Sequence, residues 1–330
     1  MFNMHSLLFH IFFLLSLLSN TIAVPSHRPP GCPSRCGNVE IPYPFGIGPY
    51  CSMDWNFEII CLNSSNPPKP YLEIEFRTYE VEPVHITYQF EVVNISETQI
   101  YVKNSTLQLA MACYGMEQDP NKTDIEIDLS SSPYSFSHSN QITVIGCDDL
   151  ALVESNRSYT NSSVAAVSYC TLSNTETYSA SIGSCANTYG CFRAFISKGV
   201  YLKVRLMDAH IIWSKSKAYP CSLAFVGMKD VLDFTYPLTN LNAPETFQNS
   251  KEFMYKPLVL DWRIVQYITI NLDPNNEYQL CQRDINCSRL DYLCQKNSLC
   301  INLDDSFGGV RCKCKEGYKG NPYNDSGCQG

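Results

Sequence analysis

The chain has 330 residues, 17 cysteines and a formal net charge of −8 at neutral pH. The acidic excess lies in residues 24–147, which hold six lysine or arginine residues against fourteen aspartate or glutamate residues. We therefore expect no nucleic-acid partner, because phosphate binding needs a basic surface that this composition does not supply. The length is enough for two or three domains.

Residues 1–23 are predicted to be a secretory signal peptide. They contain no Lys, Arg, Asp or Glu, carry the apolar run LLFHIFFLLSLL, and end in Thr21-Ile22-Ala23, which fits a cleavage site. A membrane anchor is the alternative, but the run is shorter than the ~20 apolar residues that a span requires. We expect the mature chain to be secreted into an oxidising compartment, where cysteines form disulfides.

Asn-x-Ser/Thr sequons agree with secretion, since such sites are glycosylated on exposed loops and strand edges. The sequon at Asn286 is set aside because the neighbouring Cys287 could block its modification. Glycosylation is predicted at the other seven sites, which are Asn63, Asn94, Asn104, Asn121, Asn156, Asn161 and Asn324.

The most distinctive stretch runs from Cys32 to Cys61 and also contains Cys36 and Cys51. Between these cysteines lies the string IPYPFGIG, from Ile41 to Gly48. Proline fixes φ and extends the residue before it, so Ile41–Pro44 is predicted to be stiff and extended, with a glycine-permitted turn after it. We expect the four cysteines to be disulfide staples and not metal ligands, because the C-x2-C spacings and histidine partners of zinc sites are missing.

This stretch resembles the N-terminal galacturonan-binding domain of plant wall-associated receptor kinases. The resemblance rests on the pattern C-x3-CG-x-V-x-IPYPFGIG-x2-C, and it extends to Met111–Tyr114 and Ile142–Asp148. Tyr219–Phe225 and Val259–Ile264 resemble the region that follows this domain in the same family. The resemblance implies that the chain binds cell-wall pectin, and it makes Tyr43 and Phe45 candidate ligand contacts, because aromatic rings can stack on sugars.

Hydrophobic alternation predicts β-strands through much of the chain. In residues 84–92, Ile86, Tyr88, Phe90 and Val92 share one face, and Gln99–Lys103 and Gln141–Ile145 are further candidates. The fold class is therefore predicted to be all-β and disulfide-rich, with two β modules followed by a small EGF-like module.

A basic stretch marks the second half of the chain. Residues 193–217 carry six basic side chains and one acid. Alternation predicts that Lys203 and Arg205 share a strand face opposite Leu202, Val204 and Leu206. Both cations are candidate contacts for the carboxylates of pectin. The alternative is an ordinary solvated strand face.

The C-terminal cysteines resemble an EGF-like module, with the hallmark Cys312-x-Cys314 and the string GYKGNPY. This resemblance implies the pairs Cys294–Cys312 and Cys314–Cys328, with Cys300 bonded to either Cys281 or Cys287. The odd total of 17 cysteines leaves at least one without a partner inside the chain. Calcium is not expected, because Arg283–Asn286 is a poor match to the acid-rich cluster of calcium-binding EGF modules. No other metal and no cofactor is expected.

These patterns divide the chain into a signal peptide (1–23), a galacturonan-binding domain (24–149), a middle module (150–278) and an EGF-like module (279–330). We expect no enzyme. The histidines after the signal peptide stand in no recognisable catalytic arrangement, and acid pairs such as Glu73 and Glu75 are explained by strand alternation.

The predicted function is non-catalytic binding of pectin or homogalacturonan by a secreted or receptor-like ectodomain in the cell wall. One alternative is a decoy or protein-interaction module that acts on a receptor through the EGF-like tail. Another is a truncated fragment of a single-pass receptor kinase of the plasma membrane, since no kinase motif is found in the sequence.

Overall fold

The computed structural model describes residues 29–77, 85–104, 106–113, 122–146, 149–157, 160–168, 179–181, 191–208, 221–229, 235–237, 256–271, 278–283, 286–289, 293–303 and 307–330. The predicted signal peptide and the sequon Asn121 lie outside these residues. Within them, no helix is long and apolar enough to span a membrane.

The described regular structure consists of β-strands and short 3-10 turns, which confirms the prediction of an all-β chain. The 3-10 turns are Trp55–Phe57 and Cys287–Arg289. The strands are β1 (Arg35–Cys36), β2 (Val39–Glu40), β3 (Gly46–Ile47), β4 (Glu58–Leu62), β5 (Lys69–Arg77), β6 (His85–Ile95), β7 (Gln99–Lys103), β8 (Leu109–Cys113), β9 (Ile125–Asp128), β10 (Tyr134–Phe136), β11 (Asn140–Ile145), β12 (Asp149–Arg157), β13 (Thr160–Ser168), β14 (Ser179–Ser181), β15 (Cys191–Phe195), β16 (Tyr201–Asp208), β17 (Cys221–Met228), β18 (Thr235–Pro237), β19 (Leu258–Trp262), β20 (Gln266–Asn271), β21 (Tyr278–Arg283), β22 (Ser298–Asn302), β23 (Val310–Cys314), β24 (Lys319–Gly320) and β25 (Cys328–Gln329).

The largest sheet has seven strands in the order β10-β19-β7-β6-β5-β4-β3. Its β3–β4 pair is parallel, and the other neighbours are antiparallel. The strand β19 comes late in the chain, yet it lies between β7 and β10, so the sheet begun near the N-terminus is completed by residues 258–262.

Two further sheets have four strands each, in the orders β15-β11-β17-β8 and β13-β12-β16-β9. Both combine strands that precede residue 150 with strands that follow it. The buried apolar residues form one cluster that extends from Cys36 to Tyr323. The predicted boundary between residues 149 and 150 therefore does not separate two sets of sheets, because local alternation reveals strands but not their partners.

The buried faces of β6 and β16 agree largely with the predicted alternation. Tyr88, Phe90 and Val92 are buried, whereas Ile86, near the start of the same strand, is exposed. On β16, the side chains of Leu202, Val204 and Leu206 are fully buried, as predicted.

The stretch between the first cysteines folds back on itself and is not extended throughout. It turns at Tyr43–Pro44, whose peptide bond is cis, and the Phe45 N–H donates to the Pro42 carbonyl at 2.9 Å. A Cβ at Gly46 would lie 2.1 Å from the carbonyl oxygen of Cys51, so only glycine allows these backbones to approach. The predicted staples are disulfides, with Cys32 bonded to Cys51 and Cys36 bonded to Cys61.

The EGF-like module contains the hairpins β22–β23 and β24–β25. Cys294–Cys312 and Cys314–Cys328 are bonded as the resemblance implied, and the partner of Cys300 is Cys287 and not Cys281. A module this small buries too little apolar surface to fold alone, so its disulfides supply much of its stability.

The EGF-like module packs directly on the seven-stranded sheet. Ile264 and Val310 exchange two backbone hydrogen bonds of 3.0 Å. The Arg311 guanidinium lies 5.3 Å from the centre of the Trp262 ring and donates to the Trp262 carbonyl. The Trp262 and Tyr323 rings are 6.0 Å apart. Trp262 at the end of β19 therefore joins the sheet to the EGF-like module.

Candidate functional site

Tyr43 and Phe45, the two predicted aromatic ligand contacts, lie in the core. Their side chains are 2% and 0% exposed. The Phe45 ring meets Phe57 at 5.2 Å and Trp262 at 5.5 Å, edge to face in both cases. Burial raises the pKa of the Tyr43 hydroxyl, and the carboxylate of Asp54 adds to this. The expectation that these rings stack on a polysaccharide is therefore corrected, because both side chains are buried and the Phe45 ring packs on Trp262.

Lys203 and Arg205 share the outer face of β16, as alternation predicted. The Lys203 Nζ lies 2.7 Å from Glu126 Oε2 on β9, and the Arg205 Nη2 lies 2.6 Å from Glu154 Oε1 on β12. The Tyr201 hydroxyl donates to the other oxygen of Glu126 at 2.8 Å. Each predicted cation therefore has a carboxylate partner on a neighbouring strand.

These salt bridges change what the basic stretch offers to a ligand. The hydrogen bond from Lys203 lowers the pKa of the Glu126 carboxyl, which therefore stays charged at neutral pH. A polyanion would have to compete with Glu126 and Glu154 for these two cations. The sequence could not show this, because the two carboxylates lie 77 and 51 residues away along the chain.

A second cationic cluster lies on the outer face of the seven-stranded sheet, on β5, β6 and β7. Lys69 Nζ is 3.0 Å from Glu91 Oε2, and Lys103 Nζ is 3.9 Å from Glu91 Oε1. The hydrogen bond that Lys69 donates to Glu91 raises the pKa of Lys69, which keeps this ammonium charged. Two ammonium groups thus share one carboxylate, and the Lys69 side chain remains 47% exposed.

Two tyrosines flank this cluster. Tyr71 is directly opposite Glu91, which in turn is opposite Lys103, and Tyr101 lies two residues before Lys103 on the same face. All are partly buried at the sheet surface, with the Tyr101 hydroxyl donating to Gln99 Oε1 at 3.1 Å. We refer to the surface formed by Lys69, Tyr71, Glu91, Tyr101 and Lys103 as the Lys69 face.

Two other aromatic side chains from the cysteine-rich stretch are exposed. Tyr50 is 87% exposed and has a left-handed φ of 64°, and Trp55 is 53% exposed. Trp55 begins a 3-10 turn that Asp54 caps by accepting from the Asn56 N–H at 2.7 Å. The sequence offers one indication of their exposure, which is their position near Cys51, after the glycines that end the string IPYPFGIG.

The predicted glycosylation sites differ in accessibility. Asn63 and Asn94 are exposed, whereas Asn104 is half-buried, with its side-chain amide donating to the Gln89 carbonyl at 2.7 Å. Asn156 and Asn161 are opposite each other in the β12–β13 ladder. Asn324 is half-buried in the EGF-like module.

No group of three or more His, Cys, Asp or Glu side chains in the described part of the chain is placed to hold a metal ion.

We predict that the double change Lys203→Glu and Arg205→Glu destabilises the fold, because it places carboxylates opposite Glu126 and Glu154. The loss should be about 1–2 kcal/mol, since like charges on paired strands repel. Denaturant unfolding measures it. The double change Lys203→Glu and Glu126→Lys exchanges the charges of one pair and keeps their attraction, so it should recover part of the lost stability. Equal stability of the double mutant and the wild type would show that the bridges do not form.

The same bridge predicts a pH dependence. The folded-state pKa of Glu126 is lowered below its ordinary value of 4.5. The contribution of Glu126 to the free energy of unfolding is therefore fully present above pH 4.5, and it is lost as the pH falls through the folded-state pKa. Glu126→Gln should therefore lower stability at neutral pH and have a smaller effect below that window, as measured by unfolding at several pH values.

Residues 32–103 match the sequence model of the family described as wall-associated receptor kinase galacturonan-binding. The chain is 26% identical over 98% of its length to wall-associated receptor kinase 1 of Arabidopsis thaliana, and 27% identical over 90% to wall-associated receptor kinase 2. It is 25% identical over 96% of its length to wall-associated receptor kinase-like 10 of the same plant.

The chain spans 37%, 34% and 41% of the lengths of these three relatives. No solved structure gives a significant match. The match covers their extracellular part and does not reach the kinase domain. The chain is thus similar, along nearly its whole length, to the extracellular region of plant wall-associated receptor kinases, with a galacturonan-binding segment at residues 32–103.

Proposed function

We propose that this chain binds de-esterified pectin without catalysis, as an extracellular receptor-like ectodomain of the plant cell wall. The match of residues 32–103 to the galacturonan-binding family supports this assignment. The observation that carries the site is the Lys69 face, where two lysines share one carboxylate inside this matched segment.

The Lys69 face has the chemistry that a galacturonan chain requires. Homogalacturonan carries a carboxylate on each sugar, and an exposed ammonium group can bind a carboxylate as a compact point charge. Tyr71 and Tyr101 supply ring surface beside the two lysines, and aromatic rings can pack against the apolar face of a sugar. On the same sheet face, the Glu73 carboxylate accepts a hydrogen bond from the Gln89 side chain at 3.0 Å. The negative charge of Glu73 limits how far a polyanion can extend beyond Glu91.

The competing surface is the pair Lys203 and Arg205. Both cations already have carboxylate partners of their own, whereas Lys69 and Lys103 share one. The Lys69 face is therefore the stronger candidate, and the two surfaces can be compared in one experiment.

We predict that the double change Lys69→Gln and Lys103→Gln weakens binding to de-esterified pectin. Contacts of exposed charges are worth about 0.2–1 kcal/mol each, so the loss should be roughly twofold to thirtyfold, and largest at low salt. Binding assays at several salt concentrations measure this. The matched control Lys203→Gln and Arg205→Gln also removes two cations, and we expect its affinity to stay close to that of the wild type.

A variant of opposite sign makes the assignment sharper. Glu91→Gln frees both lysines from their shared carboxylate and should strengthen pectin binding. The Lys69 face would be contradicted as the binding site if Glu91→Gln left the affinity for pectin unchanged and the Lys203 and Arg205 control lost more affinity. The site would then lie on β16.

A second candidate function is protein interaction through the EGF-like tail. Leu299 and Ile301 on β22 support it, because two exposed apolar side chains at this spacing share one strand face. Deleting residues 279–330 would not separate the two functions, since it would uncover Trp262. The double change Leu299→Ser and Ile301→Ser is a cleaner comparison, because pectin binding that depends on the Lys69 face should not respond to it.

A further inference from the structure

A cleft of about 400 Å³ lies between the EGF-like module and the N-terminal domain. This volume falls within the range of pockets that hold small ligands. Its lining includes the half-buried ring of Pro42, while the rings of Tyr43, Trp262 and Tyr323 are buried, each 2–3% exposed. Two carboxylates, Glu40 and Glu97, also line the cleft and are both exposed.

The walls are held in place by contacts between the two parts of the chain. Asn321 Nδ2 donates to the Tyr43 carbonyl at 2.6 Å, and its Oδ1 accepts from the Tyr323 N–H at 2.9 Å. The indole N–H of Trp262 donates to the Ser96 carbonyl at 3.1 Å. The cleft is therefore preformed, and its shape depends on the docking of the EGF-like module.

The sequon Asn94-Ile95-Ser96 forms part of this same wall. Asn94 is exposed and lies where the register between β6 and β7 shifts, after Val92. The Ser96 hydroxyl accepts from the Gln99 N–H at 3.0 Å, which fixes the loop after the sequon. A glycan attached to Asn94 thus begins at the cleft itself.

We propose that the N-linked glycan of Asn94 occupies this cleft, with its first N-acetylglucosamine seated beside Pro42, Glu40 and Glu97. A neutral sugar suits the site, because the exposed Glu40 and Glu97 can accept hydrogen bonds from its hydroxyl groups while its apolar face packs on the half-buried Pro42 ring. The same carboxylates repel a galacturonate chain. The glycan then supports the contact between the EGF-like module and the sheet. This inference depends on secretion and glycosylation but not on pectin binding.

The first test compares two sites on the full secreted chain from eukaryotic cells. Peptide mass spectrometry follows the removal of N-glycans by a peptide N-glycosidase from Asn94 and from Asn63, which is exposed outside the cleft. The Asn94 glycan should be released more slowly in the native protein and at the same rate after denaturation. An unmodified Asn94, or equal release rates in the native protein, would overturn the proposal.

The second test measures the support that the glycan gives. Amide hydrogen exchange in residues 307–323 should become roughly tenfold faster in Asn94→Gln, which corresponds to about 1.4 kcal/mol, and should not change in Asn63→Gln. Trimming high-mannose glycans to a single N-acetylglucosamine should preserve the slow exchange, since the first sugar fills the cleft. Unchanged exchange in Asn94→Gln, or loss of protection on trimming, would contradict the proposed arrangement.

Discussion

The packing of Trp262 is the interaction on which the rest of this structure depends. Its ring meets Phe45 at 5.5 Å and Phe57 at 6.0 Å on the side of the N-terminal stretch, and Tyr323 at 6.0 Å on the side of the EGF-like module. Such aromatic pairs contribute about 0.5–1.5 kcal/mol each beyond the burial of their area. One residue of β19 therefore connects the two most distinctive sequence patterns of the chain.

This arrangement gives the string IPYPFGIG a structural role. Its Phe45 ring supplies the core contact with Trp262, and Gly46 permits the close approach of the Cys51 backbone. Contact with a ligand is left to surfaces outside this core. The Lys69 face and the exposed Tyr50 and Trp55 belong to the same N-terminal segment, and they present to solvent the groups that a sugar acid can meet.

The sequence predicted much of what is local. Alternation placed Phe90 and Val92 in the core, and the cysteine pattern of the tail gave two of the three EGF-like disulfides described here. Both succeed because a strand face and a disulfide framework depend on spacing along a short stretch of chain.

The failures have a common physical cause, which is the choice of partner at long range. Nothing within residues 41–48 shows that Phe45 meets a tryptophan more than two hundred residues later. Likewise, alternation placed Lys203 on the outer face but could not pair it with Glu126 on β9. The Gln99 side chain, which binds Asp261 at 2.9 Å across a separation of 162 residues, shows how the late strand β19 is fixed in the early sheet. Strand partners of this kind have no signature in local hydrophobicity, so the sequence did not show that strands on both sides of residues 149 and 150 share sheets.

The most direct test of this account is hydrogen exchange in a Trp262→Ala variant, with Trp55→Ala as the control because Trp55 is an exposed tryptophan of the same chain. Truncating a buried aromatic residue costs about 3–5 kcal/mol. Exchange should accelerate together in residues 41–57 and 307–323 of Trp262→Ala, while Trp55→Ala should stay close to the wild type. Faster exchange in only one of these two segments would show that Trp262 does not couple the N-terminal stretch to the EGF-like module.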